Sequence, residues 1–589
     1  MSPNISELLA RIKELEEENR NLRNDKKYGL IWEDKPEEFN EKSRDSLPIL
    51  QEDTSLRIDD SENKPYNIII EWDNYHSLSA LNYTHQGKID VIYIDPPYNT
   101  GNKDFIYNDD YVDKEDSYRH SKWLSFMQKR LELAKNLLKN DWVIFISIDD
   151  NEFAQLKLLC DRVFKERNFL NNFIWLNNPA WRQIQWAGWV ITKEYILCYI
   201  KDIENSEDFL IDIEKAKNLM PNSYKWFDFN IKEDKKWKYI ITHELNNWNS
   251  IFNEKTRKNL VFNIFYNPQN QDILFWELND VPPEWFVVIS PKKIKNKNVK
   301  YYAWRWSKEK ILNEKDDLEF VEKDGFWSIF TKRRNFDFTS LKDIFTNILT
   351  IHWKQDLEKI WIKNFDYPKP LNLLKILLNV KDQKNSIILD FFAWSGTTGH
   401  AVLELNKEDW WSRQFILCSN RENTKENPEK NICRDITYER NKRVIQGYTN
   451  AQWENIEGLG GNLRYYTTEF IKHDKSLDTL RYRFIHLCDD LLCIKENTFT
   501  KIPLGEDIPK LRVFGRKNRF TVILYDINLF ETLKEKLRLF GSNEYISLYL
   551  FTMSHPEIFM DELRAIHPNI DLKNIPDDIL ETYLKIFNA

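Results

Sequence analysis

Four consecutive residues, Asp95-Pro96-Pro97-Tyr98, combine a carboxylate, a rigid backbone and a flat aromatic ring. An amino group on an aromatic ring is a poor nucleophile, because its lone pair is delocalised into that ring. Two acceptors aimed at its hydrogens localise the pair on nitrogen, and the Asp95 carboxylate and the Pro96 carbonyl are suited to this task. The Tyr98 ring offers a face on which a base can stack once it has left a duplex. The tetrapeptide therefore predicts a site for an extruded base.

A second group of residues lies about three hundred positions later, in the run LDFFAWSGTTGHAV at 389–402. It is typical of a strand that enters a loop of small residues at the start of a helix. Such a loop lets backbone amides and the helix N-terminus approach a cofactor closely. Together with the tetrapeptide, the loop predicts a site for a nucleotide or for S-adenosyl-L-methionine (AdoMet).

Apolar runs that are typical of buried strands surround both groups, with helical patterns between them. The strand runs are 67–71, 89–94, 143–148, 195–200 and 386–392, and the longest helical pattern is 118–139. Alternating strands and helices predict an α/β fold with a mostly parallel, doubly wound, Rossmann-like sheet. Asp95 directly follows the run 89–94, so the tetrapeptide is predicted to lie at the carboxyl edge of the sheet. Open α/β sheets bind ligands at that edge. A strand end with a plain Pro-Pro turn is the alternative, and Asn99-Thr100-Gly101 behind the motif argues against it.

The patterns divide the chain into five predicted segments. Residues 1–28 carry a heptad seam, which favours a parallel coiled coil and a homodimer over a lone amphipathic helix. Residues 60–200 and 356–450 form the two halves of the α/β domain, and the mixed stretch 201–355 is an insert between them. Residues 451–589 are predicted to form an α+β C-terminal domain.

The totals set limits on the class of protein. A net charge of -8 excludes a uniformly basic surface, so any nucleic acid must be bound by local basic patches. The six cysteines lack the spacing of a zinc site, and we expect reduced thiols and no metal. We see no signal peptide and no apolar run of roughly 18 residues, so we expect a cytoplasmic protein that is not bound to a membrane.

The two motifs and the large insert between them resemble the β-class DNA amino-methyltransferases, and most closely the modification subunit of type III restriction-modification systems. The resemblance covers roughly residues 66–200 and 365–445, in stretches such as KIDVIYIDPPYNTGNKDFIYND, VIFISIDDNE, EYILCYIK, FDYPKP, DFFAWSGTTGHAV and ICRDITYERNKRVI. It implies an AdoMet-dependent, site-specific methyltransferase acting on N6 of a flipped adenine in double-stranded DNA. It also implies that the insert is the target-recognition domain. A separate restriction subunit with helicase and nuclease parts is implied too, because the chain has no helicase P-loop.

The resemblance assigns roles to individual residues. Asp95, Pro96, Pro97 and Tyr98 correspond to the catalytic residues that receive the base. Residues of the loop and three acids at or after strand ends correspond to AdoMet contacts, and a Lys-Pro pair to the segment that closes over the methionine moiety. These cofactor candidates are Phe392, Trp394, Gly396, Thr397, Thr398, Asp390, Glu422, Asp73, Lys369 and Pro370. Asp73 is the weakest of them, because an acid after a strand is often only a helix cap.

Tryptophan stands where the related proteins have glycine. The loop pattern is Phe-x-Gly-x-Gly, whereas this chain has Trp394 at the first glycine, and Trp72, Trp142 and the pair Trp410-Trp411 show the same exchange. The chain has only 14 glycines but 22 tryptophans, against a usual glycine content of about 7%. We therefore hypothesise that UGA codons meaning glycine in the source were translated as tryptophan, although Trp32 and Trp123 suit their surroundings.

The insert carries a basic run that is interleaved with aromatic residues, a pattern that suits phosphate contacts. A solvated charged face is the alternative. The candidate DNA-binding residues are Lys292, Lys293, Lys295, Lys297, Lys300, Lys332, Arg333 and Arg334.

Two other functions remain open from the sequence. Cytosine N4 poses the same chemical problem as adenine N6, although the aspartate at the first motif position resembles the adenine enzymes. A catalytically silent DNA-recognition subunit is the alternative of a different class, and a genuine Trp394 would favour it.

Overall fold

The structure is a computed structural model that describes part of the chain, namely residues 32–35, 37, 46–61, 63–102, 104–107, 110–177, 191–206, 208–224, 230–278, 281, 283–295, 298–346, 348, 357–362, 365, 368–380, 384–423, 428–450, 452–472, 488–503, 508–552 and 556–575. The predicted coiled coil at 1–28 lies outside the described residues. So does the run ILETYLKIF at 579–587, whose pattern predicts a helix. The chain divides into two compact units, one made by residues 1–209 and 341–589 and the other by residues 210–340.

The first part of the larger unit alternates strands and helices. Its elements are β1 (Ser46–Glu52), β2 (Tyr66–Glu71), α1 (Asn74–His85), β3 (Ile89–Ile94), β4 (Ile106–Tyr107), β5 (Asp110–Tyr111), α2 (Arg119–Leu137), β6 (Leu138–Ile148), α3 (Phe153–Cys160), β7 (Phe169–Leu176) and β8 (Lys193–Ile200). Every residue of β2 and β3 is buried, as expected for largely apolar strands that are covered on both faces.

The smaller unit consists mainly of short antiparallel strands. Its elements are β9 (Leu210–Asp212), α4 (Ile213–Leu219), α5 (Pro221–Tyr224), β10 (Lys232–Glu233), β11 (Lys238–Glu244), β12 (Asn263–Tyr266), β13 (Ile273–Trp276), β14 (Val287–Ile289), α6 (Lys308–Asn313), β15 (Leu318–Lys323), β16 (Phe326–Arg333) and β17 (Phe338–Ser340). It has its own apolar core around Phe262, Ile264 and Trp304. The predicted bounds of the insert, 201–355, are wider than this unit, and its role in target recognition stays a prediction.

The rest of the chain returns to the larger unit. Its elements are β18 (Ile344–Phe345), α7 (Leu371–Leu377), β19 (Ile387–Asp390), α8 (Thr397–Asp409), β20 (Gln414–Ser419), α9 (Glu439–Gln446), β21 (Gly447–Thr449), β22 (Asn455–Glu457), β23 (Asn462–Lys472), α10 (Asp489–Glu496), β24 (Thr500–Lys501), β25 (Leu511–Arg516), β26 (Arg519–Leu524), α11 (Phe530–Leu537), β27 (Tyr545–Phe551), α12 (Met560–Ile566) and β28 (Ile570–Ile575). A π-helical turn, Cys433–Tyr438, runs directly into α9.

The central sheet has ten strands in the order β1-β23-β2-β20-β19-β3-β6-β8-β7-β18. Most neighbouring strands are parallel, whereas β1 pairs with β23, and β8 with β6 and β7, in antiparallel fashion. The predicted α/β class with a mostly parallel sheet is therefore confirmed.

The region after residue 450 does not form one separate sheet. β23 pairs with β1 and β2 in the central sheet, because its mixed run of tyrosines and threonines supplies a long strand beside β2. The strands β24 to β28 form a second, five-stranded sheet. The predicted C-terminal domain, 451–589, thus includes one strand of the central sheet.

All six cysteines are buried free thiols. Among the helices that the structure describes, none combines the length and the apolar character that crossing a bilayer requires.

Candidate active site

Asp95 and the loop after β19 lie at the same edge of the central sheet. β3 and β19 are parallel neighbours, with Ile92 beside Leu389, so the residues that follow both strands emerge together. Asp95 follows β3 directly, and the loop of residues 391–396 follows β19. The structure therefore brings together two motifs that are about three hundred residues apart in the chain.

The Pro-Pro turn is fixed from behind by a buried tryptophan. The indole Nε1 of Trp123 donates a hydrogen bond to the carbonyl oxygen of Pro97 at 2.7 Å, and both prolines are buried. The Pro96 carbonyl and the Asp95 carboxylate are thus held on a backbone with little freedom. Trp123 is fully buried and its N–H has a partner, which is how a native core tryptophan behaves.

The Asp95 side chain has an acceptor atom that is not used. Its Oδ1 is buried and accepts no hydrogen bond, although the Lys369 Nζ lies 3.2 Å away in an ion pair. Burial raises the pKa of Asp95, and the positive charge of Lys369 opposes that rise. A buried acceptor without a donor is costly unless a ligand supplies one.

Lys369, Tyr98 and Glu194 form a connected cluster beside Asp95. The Lys369 ammonium donates to the Tyr98 hydroxyl at 2.7 Å and to Glu194 Oε2 at 2.9 Å. The Tyr98 hydroxyl donates to the same Glu194 oxygen at 2.8 Å. Asn177 donates to the other oxygen of Glu194, also at 2.9 Å. Glu194 was not singled out from the sequence, and the available signal was a carboxylate at the start of an otherwise apolar strand.

Asp390 organises the loop that follows β19. Its carboxylate accepts hydrogen bonds from the backbone N–H of Phe392 at 3.0 Å and from the Thr398 hydroxyl at 2.5 Å. Burial raises the pKa of Asp390 to about 7, against the effect of these two hydrogen bonds. The observed role of Asp390 is therefore to tie the loop to the first turn of α8.

Gly396 occupies a position that requires glycine. Its φ is +70°, and a Cβ there would lie 2.5 Å from the Asn441 Nδ2 and 3.0 Å from the carbonyl oxygen of Thr437. The backbone conformation and the lack of space both exclude a side chain. The loop and the start of α8 at Thr397 thus have the close backbone approach that an AdoMet loop needs.

Arg440 and Asn441 support this loop from the first turn of α9, which directly follows the π-helical turn. The buried Arg440 guanidinium donates to the Thr397 hydroxyl at 2.6 Å. The Asn441 amide donates to the carbonyl oxygen of Gly396 at 3.3 Å and to that of Thr437 at 2.8 Å. The sequence indicates this stretch only through the family resemblance, and neither residue was predicted to belong to the site.

Trp394 does not have the geometry of an ordinary tryptophan. Its φ is +43°, and its indole Nε1 donates to the carbonyl oxygen of Asp95 at 2.7 Å. The indole stacks beside Phe392, with the ring centres 6.4 Å apart. It therefore spans the gap between the tetrapeptide and the loop.

The cavity that remains between the two motifs is about 20 Å³, room for about one water molecule. Its lining includes seven of the predicted site residues, namely Asp95, Lys369, Asp390, Phe392, Trp394, Thr397 and Thr398. The residues that line this cavity fit AdoMet except for Trp394, whose indole lies between the tetrapeptide and the loop.

Two of the predicted cofactor acids lie elsewhere. Among the described residues that line this cavity, neither Asp73 nor Glu422 is included. Asp73 is the N-cap of α1, accepts a hydrogen bond from the Tyr75 N–H and pairs with Arg130, so its cap function accounts for it. Glu422 has a left-handed φ of +53° and pairs with Lys430 at 3.4 Å. Pro370 is the N-cap of α7.

Five tryptophans adopt a left-handed backbone conformation. They are Trp285, Trp361, Trp394, Trp410 and Trp453, among twelve such non-glycine residues in the part of the chain that the structure describes. A residue with a side chain pays roughly 1–2 kcal/mol for this conformation, whereas glycine adopts it freely. Trp72 and Trp142 do not share this conformation, so the backbone supports the glycine hypothesis at 394 and 410 and not at these two sites.

The candidate DNA-binding residues of the smaller unit fall into two groups. Lys332 pairs with Asp234 at 2.8 Å, and Arg334 pairs with both Asp234 and Asp317. These two side chains are therefore engaged within the unit, and Arg333 donates to backbone carbonyls.

The second group consists of the lysines between 292 and 300. Lys292 lies 3.8 Å from Glu244, whereas Lys293, Lys295 and Lys300 are exposed. Lys297 lies outside the described residues.

Comparison with known protein families matches residues 89–446 to a family described as DNA methylase. This match covers more than half of the chain, and it includes both motifs of the site. The chain belongs to this DNA methylase family. The predicted family resemblance is thereby confirmed.

The methylase is also similar to individual proteins. The EcoPI Mod subunit of a type III restriction-modification enzyme from Escherichia phage P1 is 31% identical over 62% of this chain and 59% of the relative. The type II methyltransferase M.KpnI from Klebsiella pneumoniae is 31% identical over 65% of this chain and 89% of the relative. The solved PvuII DNA methyltransferase, which is cytosine-N4-specific, is 11% identical over 61% of this chain and 84% of that chain, with a TM-score of 0.28. The methylase thus spans about three fifths of the length of the EcoPI subunit.

Proposed function

We propose that the protein is a site-specific DNA methyltransferase that transfers a methyl group from AdoMet to N6 of an adenine extruded from the duplex. The observation that carries the proposal is the buried Oδ1 of Asp95, which accepts no hydrogen bond and lines one cavity with the loop after β19. The nearby Lys369 ammonium donates to Tyr98 and Glu194 instead, so this oxygen of Asp95 can accept a hydrogen bond from the amino group of a base.

The residues of the chain would act on the amino group before the methyl group is transferred. Bound AdoMet supplies a methyl group that is activated by the positive charge of its sulfonium. Asp95 and the Pro96 carbonyl accept hydrogen bonds from the amino group, which localises its lone pair. The amino nitrogen would lose one proton to Asp95 as its bond to the methyl carbon forms and the bond from that carbon to the AdoMet sulfur breaks. Tyr98 would stack on the ring of the base.

The test uses unmethylated chromosomal DNA, labelled AdoMet and the full chain with glycine at 394. Nucleoside mass spectrometry should detect N6-methyladenine in the product. Asp95→Asn should abolish transfer, whereas Asp161→Asn should retain it. Asp161 is a matched control because it is a buried acid held by Lys157 and Tyr199. N4-methylcytosine in the product would correct the target base, and binding without transfer would support a silent recognition subunit.

We further propose that the functional protein carries glycine at 394. The left-handed φ of Trp394 and the small cavity beside it support this substitution. The codon in the gene, together with mass spectrometry of the protein isolated from its source, tests it. A UGG codon at 394 and a tryptophan in the isolated protein would refute recoding, and the silent recognition subunit would then be the better function.

We also propose double-stranded DNA, a second copy of the chain and a restriction subunit as partners. The names of relatives such as the EcoPI Mod subunit and the heptad seam at 1–28 support this proposal. Light scattering of the full chain and of a variant lacking residues 1–28 tests the dimer. A monomeric full chain, or a dimer that survives the deletion, would contradict the role of the seam.

A further inference from the structure

Two buried carboxylates compete for one ammonium group beside the proposed base pocket. The Lys369 Nζ lies 2.9 Å from Glu194 Oε2 and 3.2 Å from Asp95 Oδ1. All three side chains are largely buried, with exposures between 12% and 18%. At such short distances and away from water, the position of the ammonium decides which carboxylate keeps a free oxygen.

The hydrogen bonds of Lys369 are directed to the Glu194 side of the cluster. The ammonium donates to Glu194 and to Tyr98, whereas Asp95 Oδ1 accepts no hydrogen bond. Lys369 lies between Pro368 and Pro370, so its backbone has little freedom to move. Which of the two carboxylates the Lys369 ammonium approaches therefore depends on the positions of the side chains and not on movement of the backbone.

The electrostatics of the two acids agree with this arrangement. Burial raises the pKa of Glu194, but Lys369 and the hydrogen bonds from Lys369, Tyr98 and Asn177 outweigh it, so that the net pKa is lowered. Burial dominates at Asp95, and its net pKa is raised. Glu194 is therefore the better stabilised anion of the pair.

We propose that Glu194 is a positioning residue that holds the Lys369 ammonium and thereby leaves an oxygen of Asp95 free to accept the amino group of the target base. This inference rests on the proposed function. Glu194 also fixes the ring of Tyr98, because the Tyr98 hydroxyl donates to the same carboxylate oxygen. One carboxylate thus prepares both the acceptor and the stacking face.

The first test is Glu194→Gln in the full chain. The uncharged amide holds the ammonium less strongly, so the distance from the Lys369 Nζ to Asp95 Oδ1 should shorten from 3.2 Å and a hydrogen bond should form between them, as a crystal structure of the variant would show. In the chain with glycine at 394, the rate of methyl transfer at saturating AdoMet should fall roughly tenfold to a hundredfold, the usual effect of losing a charged hydrogen bond. The affinity for AdoMet, measured by calorimetry, should not change.

A matched control exists where the end of α10 contacts the second sheet of the same unit. Glu496 accepts hydrogen bonds from Lys573 at 2.7 Å and from Tyr549 at 2.5 Å, so it has the same kind of partners as Glu194. Glu496→Gln should leave the transfer rate unchanged. An equal loss of rate in the two variants would mean that the loss reflects a weakened fold, and would overturn the proposal.

A double variant separates positioning from a structural role. Adding Lys369→Met to Glu194→Gln removes the ammonium that captures Asp95, so the double variant should be faster than Glu194→Gln alone. Its rate should rise with pH, because Asp95 has then lost the charge that opposes its raised pKa. The groups that face Asp95 are Glu194, Asp390, Tyr93 and Tyr98, and none of them supplies a positive charge. A double variant as slow as the single one, or slower, would overturn the proposal.

The outcomes distinguish this inference from the proposed function. A parent chain with glycine at 394 that transfers no methyl group would refute the function, while the crystal structure of Glu194→Gln would still test the placement of Lys369. A parent that is active, with Glu194→Gln equally active or Lys369 unmoved, would refute the inference alone.

Discussion

The indole Nε1 of Trp394 donates a hydrogen bond to the carbonyl oxygen of Asp95 at 2.7 Å. This bond joins the first residue of the proposed catalytic motif to the middle of the proposed cofactor loop. The side chain that makes it lines the small cavity between the two motifs. Whether residue 394 is tryptophan or glycine therefore decides whether the proposed catalytic motif and the proposed cofactor loop can act together.

Trp394→Gly should raise the affinity for AdoMet by more than about tenfold, or about 1.4 kcal/mol. The substitution removes the indole from the cavity and relieves the left-handed strain of the loop. Isothermal titration of the two chains measures the change. Trp453→Gly is the control, because Trp453 is also left-handed but lies on the surface, and it should not change the affinity. Equal affinities for Trp394→Gly and the parent would mean that the loop does not bind AdoMet.

Trp410→Gly should stabilise the fold by about 1 kcal/mol, since glycine adopts the left-handed backbone without strain. Trp410 has a φ of +59° and is 82% exposed, so little packing is lost. The midpoint of thermal unfolding measures the effect. Trp237 is 66% exposed but is not left-handed, and Trp237→Gly should give no such gain. A lower midpoint for Trp410→Gly would contradict the glycine hypothesis at this site.

Gly396→Ala should abolish AdoMet binding and lower the thermal midpoint. The added Cβ would lie 2.5 Å from Asn441 and 3.0 Å from the carbonyl of Thr437, at a φ of +70°. Gly87→Ala is the matched control, because Gly87 has a φ of +62° with nothing within 4 Å of its added Cβ. That control should cost only the backbone strain, roughly 1–2 kcal/mol, and should keep AdoMet binding. Calorimetry of both variants, in the chain with glycine at 394, would show whether the contact with Asn441 matters.

Asp390 should make the fold less stable as the pH rises from about 4 to 7. Burial raises the pKa of Asp390 to about 7, whereas an unfolded aspartate has a pKa of about 3.9. The folded state then binds more protons than the unfolded state across this window, so its stability falls with pH. Asp390→Asn should remove this part of the decline in thermal midpoint. Asp526→Asn should not remove it, because Lys510 lowers the pKa of that exposed acid. An unchanged profile in Asp390→Asn would show that this carboxyl does not titrate in the window.

Replacing Lys293, Lys295 and Lys300 together by alanine should weaken DNA binding equally for all sequences. These exposed lysines are suited to phosphates, and each lost contact should reduce the salt dependence of binding by about 0.9 in the logarithmic slope. Fluorescence anisotropy at several salt concentrations measures this slope. Lys332→Ala should instead lower the stability of the fold, because Lys332 is paired with Asp234. An unchanged slope in the triple variant would favour the reading of these lysines as a solvated face.

The sequence predicted those parts of the site that depend on local signals. A continuous apolar run gave β3, and the acid at its end gave Asp95, because the two lie side by side in the chain. β7 was not predicted, because its asparagines interrupt the apolar pattern. β18 was not predicted either, because it is only two residues long. The local signal at Glu194, a carboxylate at the start of an apolar strand, did not indicate its partners. Its partner Lys369 lies 175 residues away, and only the pairing of β8 with β6 brings its carboxylate to the edge where Asp95 emerges.

The position of β2 in the central sheet has a consequence for how the protein is made. Both neighbours of β2, β20 and β23, lie more than three hundred residues later in the chain. A ribosome that adds 5–20 residues per second needs roughly 20 to 80 seconds between finishing β2 and finishing β23. During that time a strand with the apolar run Ile68–Ile70 at its centre has both edges unpaired, and such edges promote aggregation. Correct assembly in the cell therefore depends on keeping this nascent segment apart from other chains until the last strand of the sheet has been synthesised.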